Sequence, residues 1–493
     1  MNTVVGIDLG TQALKVVFYD VDDREVAASE SASLDLYQDD GGVAEQQVHW
    51  WITALKAAIS KVDPVVRDSA RAVAVSGQQH GFVAVDRKNE VLSAVKLWCD
   101  TSTEQECASI MEAFGGLDAC IEKVGNPILP GYTASKIRWL RETQPTAYRK
   151  LDCVLLPHDY INMLLTGERC MEMGDASGTG FLDIRQRRWS GEMLEAIDPG
   201  GRLLECLPQL RTENDSIGVV QEKAAGEFGL PAGIPVAIGG GDNMMGAIGT
   251  GNVRPGNMTM SLGTSGTVYA YADEPVIDPS GGIAAFCSST GGWLPLLCTM
   301  NCTVTTELMR GLLGADLDRF ESQISSAPRG SEGVITLPFF NGERTPNLPN
   351  ARGCIVGLNG RNVKSGNLLR SAVEGATFAL KFGIDELSAL GVNGSGVVLT
   401  GGGVRSRKWR QLVADICDLP VTVYNQDEGA AFGAALQAMQ LLETGSDIAE
   451  LADANLTRDE ERSCEPRKAA VREYKALYEQ YQRAVEAVTT LYS

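Results

Sequence analysis

One short pattern occurs twice in this chain of 493 residues and limits its fold more than any other feature. Each copy is a glycine-containing turn between two short apolar runs, which is typical of a β-hairpin. The two turns are Asp8-Leu9-Gly10-Thr11 and Ser261-Leu262-Gly263-Thr264. They lie about half of the chain apart, so we expect two related halves that each open with a hairpin.

The length supports the same division, because a chain of this size exceeds what one hydrophobic core usually serves. Residues 228–257 are rich in Gly and Pro. We therefore place the boundary near residue 247, which gives an N-terminal domain at 1–247 and a C-terminal domain at 248–493. A net charge of -20 argues against nucleic acid and anionic membranes as partners.

The start of the chain has no basic segment ahead of an apolar run, and it predicts a first strand rather than a signal peptide. No window approaches eighteen apolar residues without a charge, so we expect no membrane span. The twelve cysteines are scattered and form no Cys-x-x-Cys pair, as expected of reduced thiols in a long chain. These observations predict a cytoplasmic protein.

The two turns are candidate phosphate sites, because a glycine lets backbone N–H groups approach an anion closely. A single Asp-x-Gly-Thr segment fits any hairpin turn, whereas two copies favour a nucleotide site. Asp8 stands where it could hold a hydrated Mg²⁺, an ion that takes only one or two carboxylates. The predicted ATP contacts in the turns are Gly10, Thr11, Gln12, Lys15, Gly263, Thr264 and Ser265.

A third glycine-rich element follows the apolar run at 397–399. After the glycines, apolar residues recur at helical spacing from residue 409 to 416, which predicts a strand, a tight turn and an amphipathic helix. No Gly-Lys-Ser/Thr follows, so the segment is neither a Walker A motif nor a dinucleotide fingerprint. We expect adenosine to lie near Gly401, Gly402, Gly403 and Arg405.

An aspartate, Asp242, directly follows an apolar run and three glycines at residues 236–241. Phosphoryl transfer to an alcohol needs a carboxylate beside the attacking hydroxyl, and Asp242 is the candidate. Aspartate suits a helix N-cap equally well, and the sequence leaves both interpretations open. An aspartate of ordinary pKa, about 4, is a weak base, so we expect most of its help to come from positioning.

The segment at 76–81 is a candidate sugar site. His80 is one of only three histidines, with His49 and His158, and it follows two glutamines. This group of donors and acceptors suits a polyol, although an isolated histidine is more often structural, as we expect of His49 and His158. Trp98 and Asp100 would add an apolar face and an acceptor, although a tryptophan is more often part of a core.

Together these segments resemble the FGGY family of carbohydrate kinases. Residues 131–140 are similar to the first signature of the family, and this sequence departs from that signature only at its final position, Thr143. Residues 353–375 are similar to the second signature. The similarity runs from residue 3 to about 440. The resemblance implies an α/β protein with two actin-like, ribonuclease H-like ATPase domains around a cleft. Sugar would bind on the N-terminal side, ATP on the C-terminal side, with Asp242 as general base and Asp8 and Asp242 at Mg²⁺.

Within the family, residues 78–81 resemble the sugar-binding Gln-Met-His-Gly of xylulose kinases, as do residues 97–98, 156–160, 175–179 and 342–346. This implies phosphorylation of the 5-hydroxyl of D-xylulose. The implied sugar contacts are Gln79, His80, Trp98, Asp100, Asp242 and Asn243.

Gln79 replaces the usual Met and Cys99 the usual Asn, both beside the expected sugar pocket. Another kinase of the family, acting on ribulose, a six-carbon ketose, glycerol or gluconate, therefore stays an alternative. So do an actin-like ATPase without a sugar substrate and, less favoured because Asp8 and Asp242 are present, an idle sugar sensor. The oligomeric state is open, with a homodimer among the options.

Overall fold

The computed structural model describes residues 1–212, 215–426, 428–443 and 445–492. The strands of these residues, in chain order, are β1 (Thr3–Leu9), β2 (Ala13–Asp20), β3 (Glu25–Ser33), β4 (Tyr37–Gln38), β5 (Ala44–Gln46), β6 (Ala70–Gly77), β7 (Val83–Val85), β8 (Val95–Lys96), β9 (Cys153–Leu155), β10 (Cys170–Glu172), β11 (Leu182–Asp183), β12 (Arg188–Trp189), β13 (Gln209–Arg211), β14 (Ser216–Val219), β15 (Pro235–Ala237), β16 (Gly240–Gly241), β17 (Asn257–Leu262), β18 (Gly266–Ala270), β19 (Leu296–Thr299), β20 (Ile335–Leu337), β21 (Cys354–Val356), β22 (Gly396–Thr400) and β23 (Val421–Thr422).

The α-helices of these residues are α1 (Val48–Ser60), α2 (Pro64–Asp68), α3 (Glu104–Phe114), α4 (Leu117–Val124), α5 (Thr133–Thr143), α6 (Pro145–Tyr148), α7 (Pro157–Thr166), α8 (Met173–Ser177), α9 (Gly191–Ile197), α10 (Glu222–Phe228), α11 (Asp242–Gly249), α12 (Thr303–Leu313), α13 (Leu317–Ser326), α14 (Ser365–Ala389), α15 (Arg407–Cys417), α16 (Gly429–Leu442), α17 (Ile448–Asn455) and α18 (Lys468–Thr489). Short 3₁₀ helices span Leu203–Cys206, Arg329–Gly333 and Gly402–Arg405. Within the described residues, no helix combines the length and apolar character needed to cross a bilayer.

The first large sheet has the order β14-β15-β6-β1-β2-β3, and β16 also pairs with β6. Strands β1 and β2 form an antiparallel hairpin, and β6 lies parallel to β1 on its other side. The apolar residues of β1 and most of those of β2 are buried, as the short apolar runs predicted. The predicted first hairpin is therefore confirmed, and its turn lies at one end of the strands of the sheet.

The second large sheet repeats this arrangement, with the order β19-β18-β17-β22-β23. Strands β17 and β18 form the second predicted hairpin, and β22 lies parallel to β17. The glycine-rich segment at 401–403 follows β22, so it lies at the same end of the strands as the second turn. Each half therefore carries a hairpin with a parallel third strand, which confirms the prediction of two related halves.

Two helices, α11 and α16, pack against each other and against the face of the first sheet. Their core includes Val4 and Ala72 from the sheet and Phe432 from α16. Glycines permit this close approach: a Cβ on Gly433 would lie 1.8 Å from the carbonyl oxygen of Met245. The proposed boundary at residue 247 falls inside α11, and α16 joins the first sheet from far along the chain. No single cut in the sequence separates the two cores.

Candidate active site

Two carboxylates lie at the ends of strands that flank β6 in the first sheet. Asp8 stands near the end of β1, and Asp242 directly follows β16, which pairs with β6. The hydroxyl of Ser76 donates a hydrogen bond of 2.8 Å to Asp8 Oδ1. Burial raises the pKa of Asp8, although this hydrogen bond and the charge of Lys15 oppose the shift. The ends of these strands thus bring together the two acids that we predicted from the sequence to be catalytic.

The structure decides against an N-cap role for Asp242. Gly241 is the N-cap of α11, no side chain caps that end, and Asp242 is the first helical residue. Its carboxylate accepts a hydrogen bond of 3.0 Å from the side-chain amide of Asn243. The residue is partly buried, and the charges of Asp8 and Asp175 act on its carboxylate.

Burial first, and then the charges of Asp8 and Asp175, raise the pKa of Asp242 to about 8. The expectation of an ordinary pKa near 4 is therefore wrong for this group. A carboxylate holds a proton more tightly here because desolvation and neighbouring negative charge both disfavour its ionised form. A general base works best when its pKa lies near the working pH, so the site strengthens Asp242 as a proton acceptor.

The first turn connects the predicted phosphate site to the predicted sugar site. The indole N–H of Trp98 donates to the hydroxyl of Thr11 at 3.0 Å, and that hydroxyl donates to Gln78 Oε1 at 3.0 Å. Gly10 closes the turn through its N–H, which donates to the carbonyl of Ala13 at 3.1 Å. Gln12 is exposed at the tip of the turn.

Lys15 does not present a free charge to a phosphate. Its Nζ lies 2.9 Å from Glu428 Oε2, and the hydroxyl of Ser29 donates to the same oxygen at 3.0 Å. The carboxylate of Glu428 offsets the charge of the ammonium group, and the contact of Lys15 with ATP stays a prediction. The sequence could not show this pair, since the two residues are 413 positions apart.

The second turn and the glycine segment form one continuous surface. Gly401 has a φ of +86°, and a Cβ there would lie 2.8 Å from the carbonyl carbon and oxygen of Leu262. Gly403 packs on the same leucine, whereas Gly402 is exposed and faces open space. The N-terminus of α12 closes the far side, where the N–H of Thr303 donates to the carbonyl of Gly263 at 2.9 Å. Thr264, Ser265 and Arg405 border this surface; Thr264 and Arg405 are exposed.

We expect Gly401→Ala to weaken ATP use selectively. The new Cβ would meet the backbone of Leu262, and a left-handed φ is unfavourable for alanine. The KM for ATP should rise at least about tenfold, which corresponds to about 1.4 kcal/mol, while the KM for the sugar stays within about threefold. Gly360→Ala is the matched control, because a Cβ at Gly360 meets no atom within 4 Å. Equal ATP kinetics in both variants would contradict this assignment.

Three polar side chains of the predicted sugar site contact one another. The amide nitrogen of Asn243 donates to Gln79 Oε1 at 2.7 Å, and it is also the donor to Asp242. The Nε2 of Gln79 lies 3.2 Å from the sulfur of Met244. Asn243 is thereby held between the sugar-side glutamine and the candidate base.

His80 lies in a tightly built position with a φ of +64°. Its carbonyl accepts hydrogen bonds from the ammonium of Lys136 at 2.9 Å and from the hydroxyl of Thr133 at 3.1 Å. Its ring centroid lies 5.2 Å from that of Tyr132 and 5.3 Å from that of Phe286. Burial lowers the pKa of His80 and that of Lys136, the latter to about 7. The imidazole is therefore held firmly and kept neutral.

Asp100 does not have the predicted role of a sugar contact. It is fully buried, and its Oδ2 accepts from the ammonium of Lys96 at 3.0 Å and from the N–H of Ala44 at 2.9 Å. Its Oδ1 accepts from the hydroxyl and N–H of Ser102 at 2.6 and 3.0 Å. With both oxygens occupied, Asp100 stabilises the loop that carries Trp98 and does not face a ligand.

Sequence reasoning missed the acid that contacts His80. Asp175 is fully buried, and its Oδ1 lies 3.2 Å from the Nδ1 of His80. Its Oδ2 lies 3.2 Å from the Nδ1 of His158, the histidine that we expected to be structural. The resemblance of residues 175–179 to a sugar kinase segment was the available signal, but it gave no role to the acid.

The comparisons with known proteins agree in one family. The model of the "FGGY family of carbohydrate kinases, N-terminal domain" matches residues 3–249, and the C-terminal domain model matches residues 258–441. A xylulose kinase of Haemophilus influenzae is 40% identical over 484 residues, which are 97% of this chain and 98% of that protein. A xylulose kinase of Streptomyces coelicolor is 37% identical over 454 residues, covering 91% of this chain and 90% of that protein. The solved structure of a xylulose kinase from Brucella ovis has a TM-score of 0.91 at 30% identity, covering 99% of this chain and all of that one.

Proposed function

Because the chain belongs to the FGGY family of carbohydrate kinases, we propose that it transfers the γ-phosphoryl group of ATP to the 5-hydroxyl group of D-xylulose. The family resemblance and its two-domain α/β fold are confirmed, and the protein is a carbohydrate kinase. Full-length similarity to xylulose kinases supports the sugar. The observation that carries the mechanism is the position of Asp242, a proton acceptor of raised pKa beside Asn243 and Gln79.

In this proposal the sugar lies against Gln79, His80, Trp98 and Asn243, with its reacting hydroxyl at Asp242. Asp242 accepts the hydroxyl proton as the bond to phosphorus forms, and it orients the attacking oxygen. The triphosphate lies against the two turns, with adenosine at the glycine segment. Closure of the cleft excludes water, so the sugar hydroxyl rather than solvent attacks the phosphate.

Asp8 and Asp242 are the residues that would hold Mg²⁺. Their carboxylates are close enough for the charge of Asp8 to raise the pKa of Asp242, and a divalent cation would offset that repulsion. The described residues offer no group of three or more metal-ligating side chains, which suits an ion that keeps most of its waters. When bound, Mg²⁺ would neutralise charge on the phosphates.

We also infer a reducing, cytoplasmic setting. All twelve cysteines are unpaired, and eight of them are buried. Such thiols are usual where disulfides do not persist.

A coupled assay of ADP release over a panel of acceptors tests the proposed sugar. With D-xylulose, kcat/KM should exceed that with D-ribulose, D-fructose, glycerol or gluconate by at least about tenfold, and ³¹P-coupled NMR should place the phosphate on C5. A higher kcat/KM with another acceptor would replace D-xylulose by that compound. ATP turnover that no acceptor changes would favour the actin-like ATPase instead.

Gln79 stands where xylulose kinases usually have Met, and its side chain contacts Asn243 in the site. We expect Gln79→Met to raise the KM for D-xylulose about three- to tenfold, because Asn243 loses an acceptor worth about 0.5–1.5 kcal/mol. The order of preference among the sugars should not change. Gln186→Met, at an exposed turn, serves as the control. A switch of preference to another sugar would show that Gln79 selects the substrate rather than holding Asn243.

A further inference from the structure

A chain of four buried ionisable side chains runs away from the proposed sugar site. Asp175 lies between two histidines, with its Oδ1 3.2 Å from His80 Nδ1 and its Oδ2 3.2 Å from His158 Nδ1. On the far side, His158 Nε2 lies 2.9 Å from Asp159 Oδ1. His158 and Asp175 have no exposed surface, so bulk solvent does not reach these contacts.

The proton positions in this chain follow from the identity of the neighbours. His158 has a carboxylate at each ring nitrogen, and these two charges raise its pKa well above the usual value despite burial. Burial raises the pKa of Asp175, but the two histidines beside its oxygens lower it by more, so Asp175 is a carboxylate. A carboxylate can only accept hydrogen bonds, and each of its oxygens faces a ring nitrogen.

The surroundings of His80 lower its pKa, in contrast to those of His158. Burial lowers its pKa, and the positive charges of Lys136 and Arg344 act in the same direction, while Asp175 alone opposes them. A neutral imidazole carries one proton, and the nitrogen that faces a carboxylate is the one that keeps it. The other nitrogen, Nε2, then has a free lone pair.

We propose that Asp175 is a positioning residue that fixes His80 with its proton on Nδ1, so that Nε2 accepts a hydrogen bond from a hydroxyl group of the sugar. This inference rests on the proposed function, because it assigns His80 to sugar binding. His158 acts one step further out, as a buried cation that keeps Asp175 ionised. The backbone N–H of His80 also points to Asp175 Oδ1 at 3.2 Å, so the same carboxylate fixes both the ring and its backbone.

The first test needs no catalysis. The chain has only three histidines, so ¹⁵N–¹H correlation spectra of histidine-labelled protein resolve every ring. His80, assigned by loss of its signals in His80→Gln, should be neutral with the proton on Nδ1, and His158 should carry two ring protons. A His80 proton on Nε2, or a doubly protonated His80, would overturn the proposal whatever the protein phosphorylates.

The second test compares two buried acids of the same chain. Asp175→Asn removes the carboxylate that contacts His80, whereas Asp159→Asn changes an acid that contacts His158 and the backbone N–H of Leu156 but not His80. Asp175→Asn should raise the sugar KM at least about tenfold with kcat changed less, leave the KM for ATP within about threefold, and disturb the Nδ1–H signal of His80. Asp159→Asn should keep the sugar KM within about threefold.

Equal losses in the two variants would mean that the chain only stabilises the fold, which would sink the positioning role. An unchanged sugar KM in Asp175→Asn would do the same. If wild-type protein phosphorylated no sugar, the proposed function would fail, while the spectra of His80 would still decide the tautomer.

Discussion

Asp242→Asn is expected to lower kcat for sugar phosphorylation at least about a thousandfold, within the range of general-base contributions. Asparagine keeps the size of the side chain and an oxygen for the contact with Asn243, but it cannot take a proton. The affinity for ATP, measured by calorimetry, should stay within about threefold. Asp118→Asn, at an exposed position of α4, should retain wild-type turnover. Turnover within about tenfold of wild type, or about 1.4 kcal/mol of barrier, would remove Asp242 from the role of base.

The same variant has a second readout in stability. The pKa of Asp242 is about 8 in the folded protein against 3.8 for the free group, so the folded state holds this proton more tightly. Wild-type protein therefore loses stability as pH rises between about 4 and about 8, where the unfolded chain ionises the group more readily. Without metal, Asp242→Asn should be more stable than wild type at pH 8, and the difference should vanish near pH 4.

Gly178→Ala is expected to impair sugar binding strongly. A Cβ on Gly178 would lie 1.7 Å from Cε1 of His80, and the rings of Tyr132 and Phe286 limit where the imidazole can move. Displacing the ring leaves a sugar hydroxyl unpaired, so the sugar KM should rise about thirtyfold or more, about 2 kcal/mol. The KM for ATP should not change.

Gly191→Ala is the matched control for that variant, because a Cβ at Gly191 meets no atom within 4 Å. A crystal structure or the histidine spectra of Gly178→Ala would show whether His80 has moved. A sugar KM equal to that of the control, with His80 displaced, would separate His80 from sugar binding.

The sequence predicted those parts of the site that local patterns determine. Both hairpins and the glycine segment after β22 are where it placed them, because turns that need glycine leave a clear local signal. For Asp242 the sequence left two roles equally open, that of a general base and that of a helix N-cap. Only the structure decided it, since the choice depends on whether Gly241 or Asp242 precedes the first helical turn.

The errors concern charges whose partners lie elsewhere. Asp100 was predicted beside the sugar because it follows Trp98, but Lys96 and Ser102 take up its oxygens. Asp175 was overlooked because it is 95 residues from His80, and its contact exists only in the folded chain. The raised pKa of Asp242 has the same origin, because burial is a property of the assembled fold.

The packing of α16 on the first sheet has a consequence for how the protein is made. Residues 429–442 complete the core around Val4 and Ala72, so the ribosome has to deliver almost the whole chain before that core can close. At about 5–20 residues per second, the early strands wait on the order of tens of seconds with one apolar face uncovered. Many domains fold as they emerge, but this core cannot be completed until late in synthesis.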